Sequence, residues 1–463
     1  MGYGRKGPRS MKIRKLKYRN DNILGDLELD LVNPATNHPY STVVLVGENG
    51  TGKTTILKTI SDYINVISLR PFDYIEYEAD GKEYCIEPIP DGNPTFHTRK
   101  DIAAGTEEEV RSDNNNNPNR MRADTKDMRS YPCVFSKARA DFKTDRINTV
   151  STKALDTDTH VNDSDDNYTS LKQLIVDIDN QDNAEYTRRN KVARLDYAQF
   201  LPTSKMYRFS NAFNTFFGNI SFDRIEDINN EKVILFKKNN KDVPIDGLST
   251  GEKQIVFRGA YLLKNSGKME NGVAFIDEPE LSMHPLWQEK ILDYFRKLFT
   301  NTSTGEQKVQ LFFASHSEYL VASALEHQND VVVIVLTDNG GVISSRKITT
   351  PIVLPTIIAS EVNYAAFGVP TIDYHIALYG AIQSKYNRQT IVDCDSFIES
   401  CTPYYDSVRH ESITTNPRNG CIYRTLPTKV RNHIDHPSTA PAFTPVEMEE
   451  SIKLMREILI HVP

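Results

Sequence analysis

The chain has 463 residues, of which 39% are hydrophobic and 25% are charged, and its formal net charge is −7. This length allows two or three domains with buried cores, and the acidic balance argues against a protein that coats nucleic acid. The five cysteines are odd in number and form no C-x-x-C pair, which favours reduced, structural cysteines. Because no apolar run approaches the roughly 18 residues of a membrane span and the first residues lack an apolar signal core, we expect a soluble, cytoplasmic protein.

The first nineteen residues are rich in basic side chains: Arg5, Lys6, Arg9, Lys12, Arg14, Lys15, Lys17 and Arg19. Such a segment could contact phosphates, but a solvated leader followed by the polar face of a first strand explains it more simply. The alternation of apolar residues over 11–32 predicts two strands joined by a turn at Asn20-Asp21-Asn22.

A complete G-x-x-x-x-G-K-[ST] motif lies between an apolar run at residues 42–46 and a helical pattern at residues 56–60. Strand, glycine loop and helix form the context in which this motif binds phosphates. The glycines let backbone N–H groups surround a polyphosphate, and the helix N-terminus adds the positive end of its dipole. We therefore predict a nucleoside triphosphate and Mg²⁺ site, in which Lys53 reaches the β- and γ-phosphates and the Thr54 hydroxyl ligates the metal. Its predicted residues are Gly47, Glu48, Asn49, Gly50, Thr51, Gly52, Lys53, Thr54 and Thr55.

Residues 70–205 have a different character and are predicted to form a partly mobile insert. Residues 72–89 predict an antiparallel pair that turns at Asp80-Gly81, and residues 131–136 predict a buried strand. The run Asn114-Asn115-Asn116-Asn117 and the acidic stretch 152–169 cannot bury enough apolar surface to order themselves. Helices are predicted from Ser170 and over residues 204–217.

Three further motifs follow a predicted strand at residues 232–236. Leu248-Ser249-Thr250-Gly251-Glu252 leads into a helix, an apolar strand at 272–276 ends in Asp277-Glu278-Pro279, and a strand at 309–314 precedes Ser315-His316-Ser317. A helix is predicted from Pro285, because proline is tolerated in a first turn. Residues 331–336 and 341–347 predict a closing hairpin, and the chain is predicted to be mainly helical from Ile348.

These four motifs, in this order, resemble those of ABC-type ATPases, particularly the heads of chromosome-maintenance, RecF-like and OLD-like proteins. The resemblance implies an α/β fold, namely an ABC-type P-loop ATPase head with a mixed sheet and helices. It also implies that Asp277 holds Mg²⁺, that Glu278 is the general base, and that His316 contacts the γ-phosphate and the attacking water. Ser249, Gly251 and Glu252 would form the signature loop.

In such relatives the signature loop closes on the nucleotide held by a second subunit. The resemblance therefore implies that ATP joins two copies of this chain, with a higher homo-oligomer open as an alternative. Taken alone, Asp277-Glu278 could be a strand-end turn and Ser249 a helix cap. Glu280 and His284 fit the D-E-P-E-L-x-x-H-P form typical of OLD-like ATPases, where packing or dimer contact is favoured over metal binding.

The insert lacks the sustained heptads of a coiled coil, which excludes a DNA-spanning rod. The Q-loop glutamine of transporter relatives has no clear counterpart, and Ser136, Lys137 and Arg139 are the candidates for that region. The expected domains are an ATPase head at 1–69 and 206–347, the insert at 70–205, and a mainly helical C-terminal domain at 348–463.

The C-terminal residues suggest a subfamily. Asp393-Cys394-Asp395 has the spacing of a Toprim nuclease motif but no parallel α/β pattern around it. Residues 361–368 and 426–437 are instead similar to the tail of Septu-type ATPase subunits (PtuA), and the ATPase of PARIS systems is a related resemblance. The likeness implies a slow ATPase subunit of a bacterial anti-phage complex that regulates a separate HNH-type nuclease subunit.

Two alternatives remain open from the sequence. The basic N-terminus would suit a RecF-like DNA-binding repair ATPase. The residues Arg431-Asn432-x-x-x-His436 resemble the R-N-x-x-x-H motif of HEPN ribonucleases, in which the arginine stabilises phosphate charge and the histidine acts on the 2′-hydroxyl or the leaving group. A basic helix C-terminus halted by Pro437 explains the same residues without catalysis.

Overall fold

The structure is a computed structural model that describes residues 11–90, 92–111, 124–138, 160–162, 168–263, 271–300, 305–307, 309–350, 352–415 and 420–463. The chain divides into two compact units, Met1–Lys347 and Ile348–Pro463. Over the described ranges, no helix has the length and apolar character needed to cross a membrane. The predicted Asn114–Asn117 run and Arg139 lie outside the described residues, as does most of the acidic stretch.

The first unit contains both strands and helices. Its strands are β1 (Met11–Tyr18), β2 (Glu28–Asp30), β3 (Thr42–Gly47), β4 (Phe72–Ala79), β5 (Lys82–Pro88), β6 (His97–Asp101), β7 (Thr106–Val110), β8 (Cys133–Ser136), β9 (His160–Asn162), β10 (Ile220–Ile228), β11 (Glu231–Lys238), β12 (Lys241–Pro244), β13 (Val273–Asp277), β14 (Gln310–Ser315), β15 (Val331–Asp338) and β16 (Ile343–Ile348). Its helices are α1 (Lys53–Ile64), α2 (Tyr168–Ala193), α3 (Tyr197–Phe200), α4 (Lys205–Phe216), α5 (Thr250–Leu263), α6 (Pro285–Leu298) and α7 (Glu318–Leu325).

A seven-stranded sheet in the order β16-β15-β3-β14-β13-β8-β9 forms the centre of this unit. From β15 to β9, neighbouring strands are parallel. Strands β3, β13 and β14 are buried along their whole length, as in parallel sheets that are covered on both faces. Because their register aligns Leu45 and Asp277 with Ala314, the carboxyl ends of all three strands lie side by side at one edge of the sheet.

A second sheet is antiparallel and has the order β2-β1-β4-β5-β6-β7. Its apolar side chains share one buried cluster with helix α1 and with the central sheet; Leu16, Ile56, Ile75 and Phe275 belong to this cluster. Residues 72–110 of the expected insert therefore form a sheet with the N-terminal strand, because β4 pairs along β1. Strand β8, from the same expected insert, pairs with β13 in the central sheet. In the structure, the residues on both sides of the expected boundary at residue 70 belong to the same compact unit.

Three basic side chains in β1 or directly after it pair with acidic residues of β4 and β5. Arg14 lies 3.0 Å from Glu83, Lys17 lies 3.5 Å from Asp73, and Arg19 also pairs with Asp73. These pairs neutralise three of the eight basic residues in the stripe that suggested a DNA-binding arm. Residues 1–10 lie outside the described ranges.

A three-stranded sheet, β10-β11-β12, completes the first unit. It packs on α4 through aromatic contacts, such as the 5.1 Å between the ring centroids of Phe213 and Phe236. Strands β10 and β12 were not predicted from the sequence, whereas β11 and α4 match the predicted segments closely.

The second unit is mainly helical, as expected. Its elements are α8 (Ala359–Phe367), α9 (Ile372–Lys385), α10 (Ile391–Ser400), α11 (Ser407–His410), β17 (Glu411–Thr415), β18 (Ile422–Thr425), α12 (Leu426–Asp435) and α13 (Pro445–His461). Its core contains Leu378, Ile398, Val430, Ile452 and Ile458, which are fully buried. The short antiparallel pair β17–β18 was not predicted.

A buried ion pair lies between the antiparallel sheet and α1. Asp127 and Arg129 are fully buried, and Arg129 Nη2 lies 2.7 Å from Asp127 Oδ2. Arg129 Nη1 donates to the Thr95 carbonyl at 2.7 Å, and the guanidinium lies 5.6 Å from the ring centroid of Tyr63 on α1. Burial by itself would raise the pKa of Asp127, but the charge and hydrogen bonds of Arg129 outweigh it and lower that pKa.

We predict that Arg129→Met destabilises the first unit by about 3–5 kcal/mol, because it leaves the Asp127 carboxylate buried without its partner. Urea unfolding followed by the fluorescence of Trp287, which is the only tryptophan and lies in this unit, measures the change. Arg188→Met is the matched control, since Arg188 pairs with Glu185 on an exposed helix surface, and it should leave the midpoint unchanged. Equal midpoints for both variants would contradict the prediction.

Candidate functional site

The phosphate loop has the backbone conformation that its glycines allow. Gly47, Gly50 and Gly52 have φ values of 146°, 88° and 87°. A Cβ at Gly47 would lie 2.3 Å from the Leu336 carbonyl oxygen, and one at Gly52 would lie 2.3 Å from the Leu24 side chain. Both close contacts and positive φ therefore require glycine at these two positions. The loop joins β3 to the N-terminus of α1, as the motif predicts.

Lys53 is the first residue of α1, and its side chain lies over this loop. Its Nζ donates to the carbonyls of Gly47 and Glu48, each at 2.9 Å. Burial lowers the pKa of Lys53 to about 8, although the nearby charges of Glu278, Asp277 and Glu280 act in the opposite direction. The amine is therefore a cation at neutral pH that has lost much of its hydration, which suits it to a phosphate.

Thr54 and Asp277 meet across the edge of the sheet. The Thr54 hydroxyl donates to both carboxylate oxygens of Asp277, at 3.0 and 3.1 Å. Burial raises the pKa of Asp277, and the Glu278 charge adds to this effect, whereas the Thr54 hydrogen bond opposes it. A hydroxyl and a carboxylate are the hard oxygen ligands that Mg²⁺ prefers. These two predicted ligands therefore fit a magnesium ion.

Glu278 and His316 follow the ends of β13 and β14. Glu278 has a φ of 42°, which is uncommon for a residue with a side chain and typical of functional sites. His316 Nε2 lies 3.8 Å from Glu278 Oε1. Burial and the charge of Lys53 lower the pKa of His316, although the charge of Glu278 acts in the opposite direction, and this shift favours the neutral imidazole. Both side chains are about one-third exposed, at 34% and 32%. The structure thus brings Lys53, Thr54, Asp277, Glu278 and His316 to one edge.

The predicted signature residues lie at the N-terminus of α5. Ser249 N–H donates to Glu252 Oε2 at 2.8 Å, and Glu252 N–H points to Ser249 Oγ at 3.4 Å, which is the reciprocal arrangement of a capping box. A Cβ at Gly251 would lie 3.0 Å from the Ser282 carbonyl oxygen and 3.1 Å from the Trp287 ring. Within the described residues, neither Ser249 nor Glu252 hydrogen-bonds to the phosphate loop. Their expected role toward a nucleotide therefore stays a prediction.

Arg258 is a site-supporting residue that the sequence analysis missed. It lies on α5, is 6% exposed, and donates from Nη1 to the Asp277 carbonyl at 2.9 Å and from Nη2 to the Lys137 carbonyl at 2.7 Å. Since Ser136 aligns with Ile276, Lys137 is the next residue along β8, beside Asp277. Of the three Q-loop candidates, Lys137 thus comes directly after β8 at this edge. The sequence signal that could have identified Arg258 is its position as an arginine within an apolar helical stretch.

The C-terminal candidates have structural partners. Asp393 and Asp395 lie on α10, and the Asp395 carboxylate accepts from the N–H groups of Arg424 and Thr425 at 2.7 and 3.1 Å. Arg431 pairs with Asp435 at 2.7 Å. His436 is exposed and directly follows α12. No group of three or more His, Cys, Asp or Glu side chains within the described ranges could hold a metal ion.

A protein-family model described as "AAA domain, putative AbiEii toxin, Type IV TA system" matches residues 90–322. The chain belongs to this AAA-domain family. It is therefore a P-loop ATPase with a mixed α/β fold and a helical C-terminal region. The match begins after the phosphate loop in the sequence and includes Asp277, Glu278 and His316. In the structure, Thr54 of the phosphate-loop helix contacts Asp277.

Among solved structures, three heads of SMC proteins are similar to the chain, and each comparison covers 73% of it. The SMC head bound to the C-winged helix domain of ScpA has 14% identity, 98% coverage of its own length and a TM-score of 0.40. The SMC head domain from Thermotoga maritima has 15% identity, 100% coverage of its own length and a TM-score of 0.34. The third structure is an SMC head with an extended coiled coil bound to the C-terminal domain of ScpA, derived from Pyrococcus furiosus. It has 14% identity, 96% coverage of its own length and a TM-score of 0.35. None of the curated proteins matches the chain.

We predict that the affinity for ATP falls as the pH rises through about 8, the pKa of Lys53. Phosphate oxygens favour the cationic amine, so binding above this pH takes up a proton and weakens by up to about tenfold per pH unit. Calorimetry from pH 7 to 9.5 with a non-hydrolysable analogue, in two buffers of different protonation enthalpy, measures affinity and proton uptake together. Burial raises the pKa of Cys133, whose thiol lies 3.6 Å from the Ser61 hydroxyl on α1, to about 12, so this thiol does not titrate in that range. A flat profile would contradict the prediction.

Proposed function

We propose that this protein is an ABC-type ATPase that dimerises around Mg²⁺–ATP, hydrolyses it slowly, and regulates a separate HNH-type nuclease subunit in bacterial anti-phage defence. The observation that carries the ATPase part is the convergence of Lys53, Thr54, Asp277, Glu278 and His316 at the carboxyl edge of three parallel strands. Ligands of α/β sheets bind at this edge.

The roles follow from the geometry of the side chains. The glycine loop and Lys53 would hold the phosphates, and Thr54 and Asp277 would hold Mg²⁺, which neutralises charge on the β- and γ-phosphates when bound. The Glu278 carboxylate would orient a water molecule and take its proton. The His316 imidazole, 3.8 Å from Glu278, would donate a hydrogen bond toward the same region.

The dimer is proposed because the start of the signature loop is exposed and because, within the described residues, Ser249 makes no hydrogen bond to the phosphate loop of its own chain. Ser249 and Thr250 are exposed at the N-terminus of α5. Nearby, Gly251 contacts the turn at Ser282 and the first turn of α6, where Leu286 is 59% exposed. This surface would cover the nucleotide of a second copy. A ligand that binds only the paired state stabilises pairing by mass action.

Two observations support the role in defence. The description of the matched family names a putative toxin of a type IV TA system. In addition, the two segments that resemble Septu-type subunits form α8 and α12, where buried Glu361 accepts from the N–H groups of Val353 and Leu354 and Thr425 caps α12. Because these segments make contacts within the C-terminal unit, their similarity to Septu-type subunits supports a C-terminal unit like the one in those subunits. Because Asp393 and Asp395 lie on a helix, the proposal assigns DNA cleavage to a separate subunit.

We predict that Glu278→Gln binds ATP normally, abolishes hydrolysis and accumulates an ATP-bound dimer, because the amide cannot take a proton from water. Radiolabelled phosphate release and light scattering with and without ATP measure the two effects. Lys53→Ala is the control that should lose nucleotide binding. Ser249→Arg should bind ATP but stay monomeric. Unchanged turnover in Glu278→Gln would remove Glu278 from its role, and a dimer of Ser249→Arg would remove the signature loop from the interface.

We also predict that the protein isolated from its own host carries a nuclease subunit encoded by the neighbouring reading frame. Native mass spectrometry with and without ATP should show two copies of this chain plus the second polypeptide, in proportions that change with nucleotide. The Glu278→Gln variant, which should remain ATP-bound, should show only the composition that the parent complex has with ATP. A nucleotide-dependent dimer that never carries another polypeptide would contradict the partner while leaving the ATPase intact.

A further inference from the structure

Glu280 is a buried acidic residue in the turn that follows β13. It is 9% exposed, and its Oε1 accepts from the Ser315 hydroxyl at 2.7 Å and from the His316 N–H at 2.8 Å. These two donors belong to the end of β14, so one carboxyl group joins the ends of two neighbouring strands. Its other oxygen, Oε2, is buried and has no hydrogen-bond partner within the described part of the chain.

The bonds of Glu280 belong to a longer chain of contacts that fixes the backbone at residues 315–317. Ser315 Oγ accepts from the Ser317 N–H at 3.0 Å. Ser317 Oγ donates to Gln288 on α6 at 2.6 Å and caps α7 by accepting from the Leu320 N–H at 3.2 Å. His316 lies in the middle of this segment. Its backbone is held on both sides, whereas its imidazole extends toward Glu278.

We propose that Glu280 is a positioning residue that fixes the His316 backbone so that the imidazole faces Glu278 and the γ-phosphate. This inference rests on the proposed function, because it assigns a support to the proposed switch histidine. If Glu280 had only a structural role, it would stabilise the fold but would have no effect that depends on His316.

The shape of the contact predicts which substitutions are tolerated. Both hydrogen bonds reach a single oxygen, so Glu280→Gln keeps the acceptor and replaces only the unpartnered oxygen. Glu280→Met has a similar length but removes the acceptor, which leaves the Ser315 O–H and the His316 N–H without the group to which they donate. The two variants therefore separate the acceptor from the charge.

The test compares ATP turnover of the full chain with Glu280→Met, Glu280→Gln, His316→Ala and the double variant Glu280→Met/His316→Ala. We expect Glu280→Met to lower kcat by about ten- to a hundredfold, as a misplaced group does, with unchanged affinity for a non-hydrolysable analogue. Glu280→Gln should stay close to the parent. The double variant should be no slower than His316→Ala, because residues that act as one unit are not additive.

Glu361→Met is the matched control. Glu361 is also a buried glutamate whose Oε1 accepts two backbone N–H groups, at 2.9 and 3.1 Å, but it lies in the second unit. It should lower stability without changing kcat per folded molecule. A multiplicative loss in the double variant, or full activity of Glu280→Met, would overturn the positioning role. A Glu280→Gln variant as slow as Glu280→Met would assign the carboxyl group a direct role and would also overturn it.

A second readout does not depend on turnover. Burial and Lys53 lower the pKa of His316, so release of its backbone should raise that pKa toward its ordinary value in Glu280→Met but not in Glu361→Met. Histidine NMR titration, with His316→Ala to assign the resonance, measures this. If the parent protein does not hydrolyse ATP, the proposed function fails while the titration still decides the positioning. An unchanged His316 resonance in Glu280→Met overturns the positioning alone.

Discussion

The site depends on the parallel register of three adjacent strands. Leu45 of β3 and Asp277 of β13 both align with Ala314 of β14, so the phosphate loop, the Asp-Glu pair and the Ser-His pair leave the sheet within a few strand spacings of one another, each about 4.8 Å. A slip of one residue in β13 would turn Asp277 to the opposite face, away from Thr54. The apolar residues that fix this register therefore determine the chemistry as directly as the catalytic side chains do.

Buried charges at this edge are arranged so that each supports another. Burial lowers the pKa of Lys53 to about 8, and the charges of Glu278, Asp277 and Glu280 act in the opposite direction. Arg258 adds a second buried cation, which donates hydrogen bonds to the carbonyls of Asp277 and Lys137. Because Arg258 lies on α5, the helix that directly follows Ser249, this helix is bonded to the end of β13 at Asp277. A shift of α5 would strain these bonds, which links the proposed dimer surface to Asp277 of the proposed magnesium site.

The sequence patterns were sufficient where local signals were strong and failed where the partner was distant. The apolar runs of β3, β13 and β14 and the glycine motif locate Lys53, Asp277, Glu278 and His316. Strands β6 and β7 were missed because they are charged and lack apolar alternation, and they are held by pairs such as Arg99 with Glu108 at 2.7 Å. The roles of Arg258 and Glu280 could not be predicted, since their partners are backbone groups of distant segments. Lys137 became a Q-loop candidate of defined position only once the strand order was known.

The capping box of α5 bears on how two copies would meet. In the single chain, the Ser249 N–H already donates to the Glu252 carboxylate, whose other oxygen lies 2.9 Å from Lys238 Nζ. Burial would raise the pKa of Glu252, but Lys238 and Ser249 outweigh it and lower that pKa, so the carboxylate is ionised. An incoming phosphate would therefore meet an N-terminus whose first N–H is occupied by an internal anion. Within the described residues, the N–H groups of Thr250 and Gly251 donate to no other group, so they and the dipole of α5 would supply the attraction in the proposed dimer. Such an interface would favour ATP over a nucleotide that has lost its terminal phosphate.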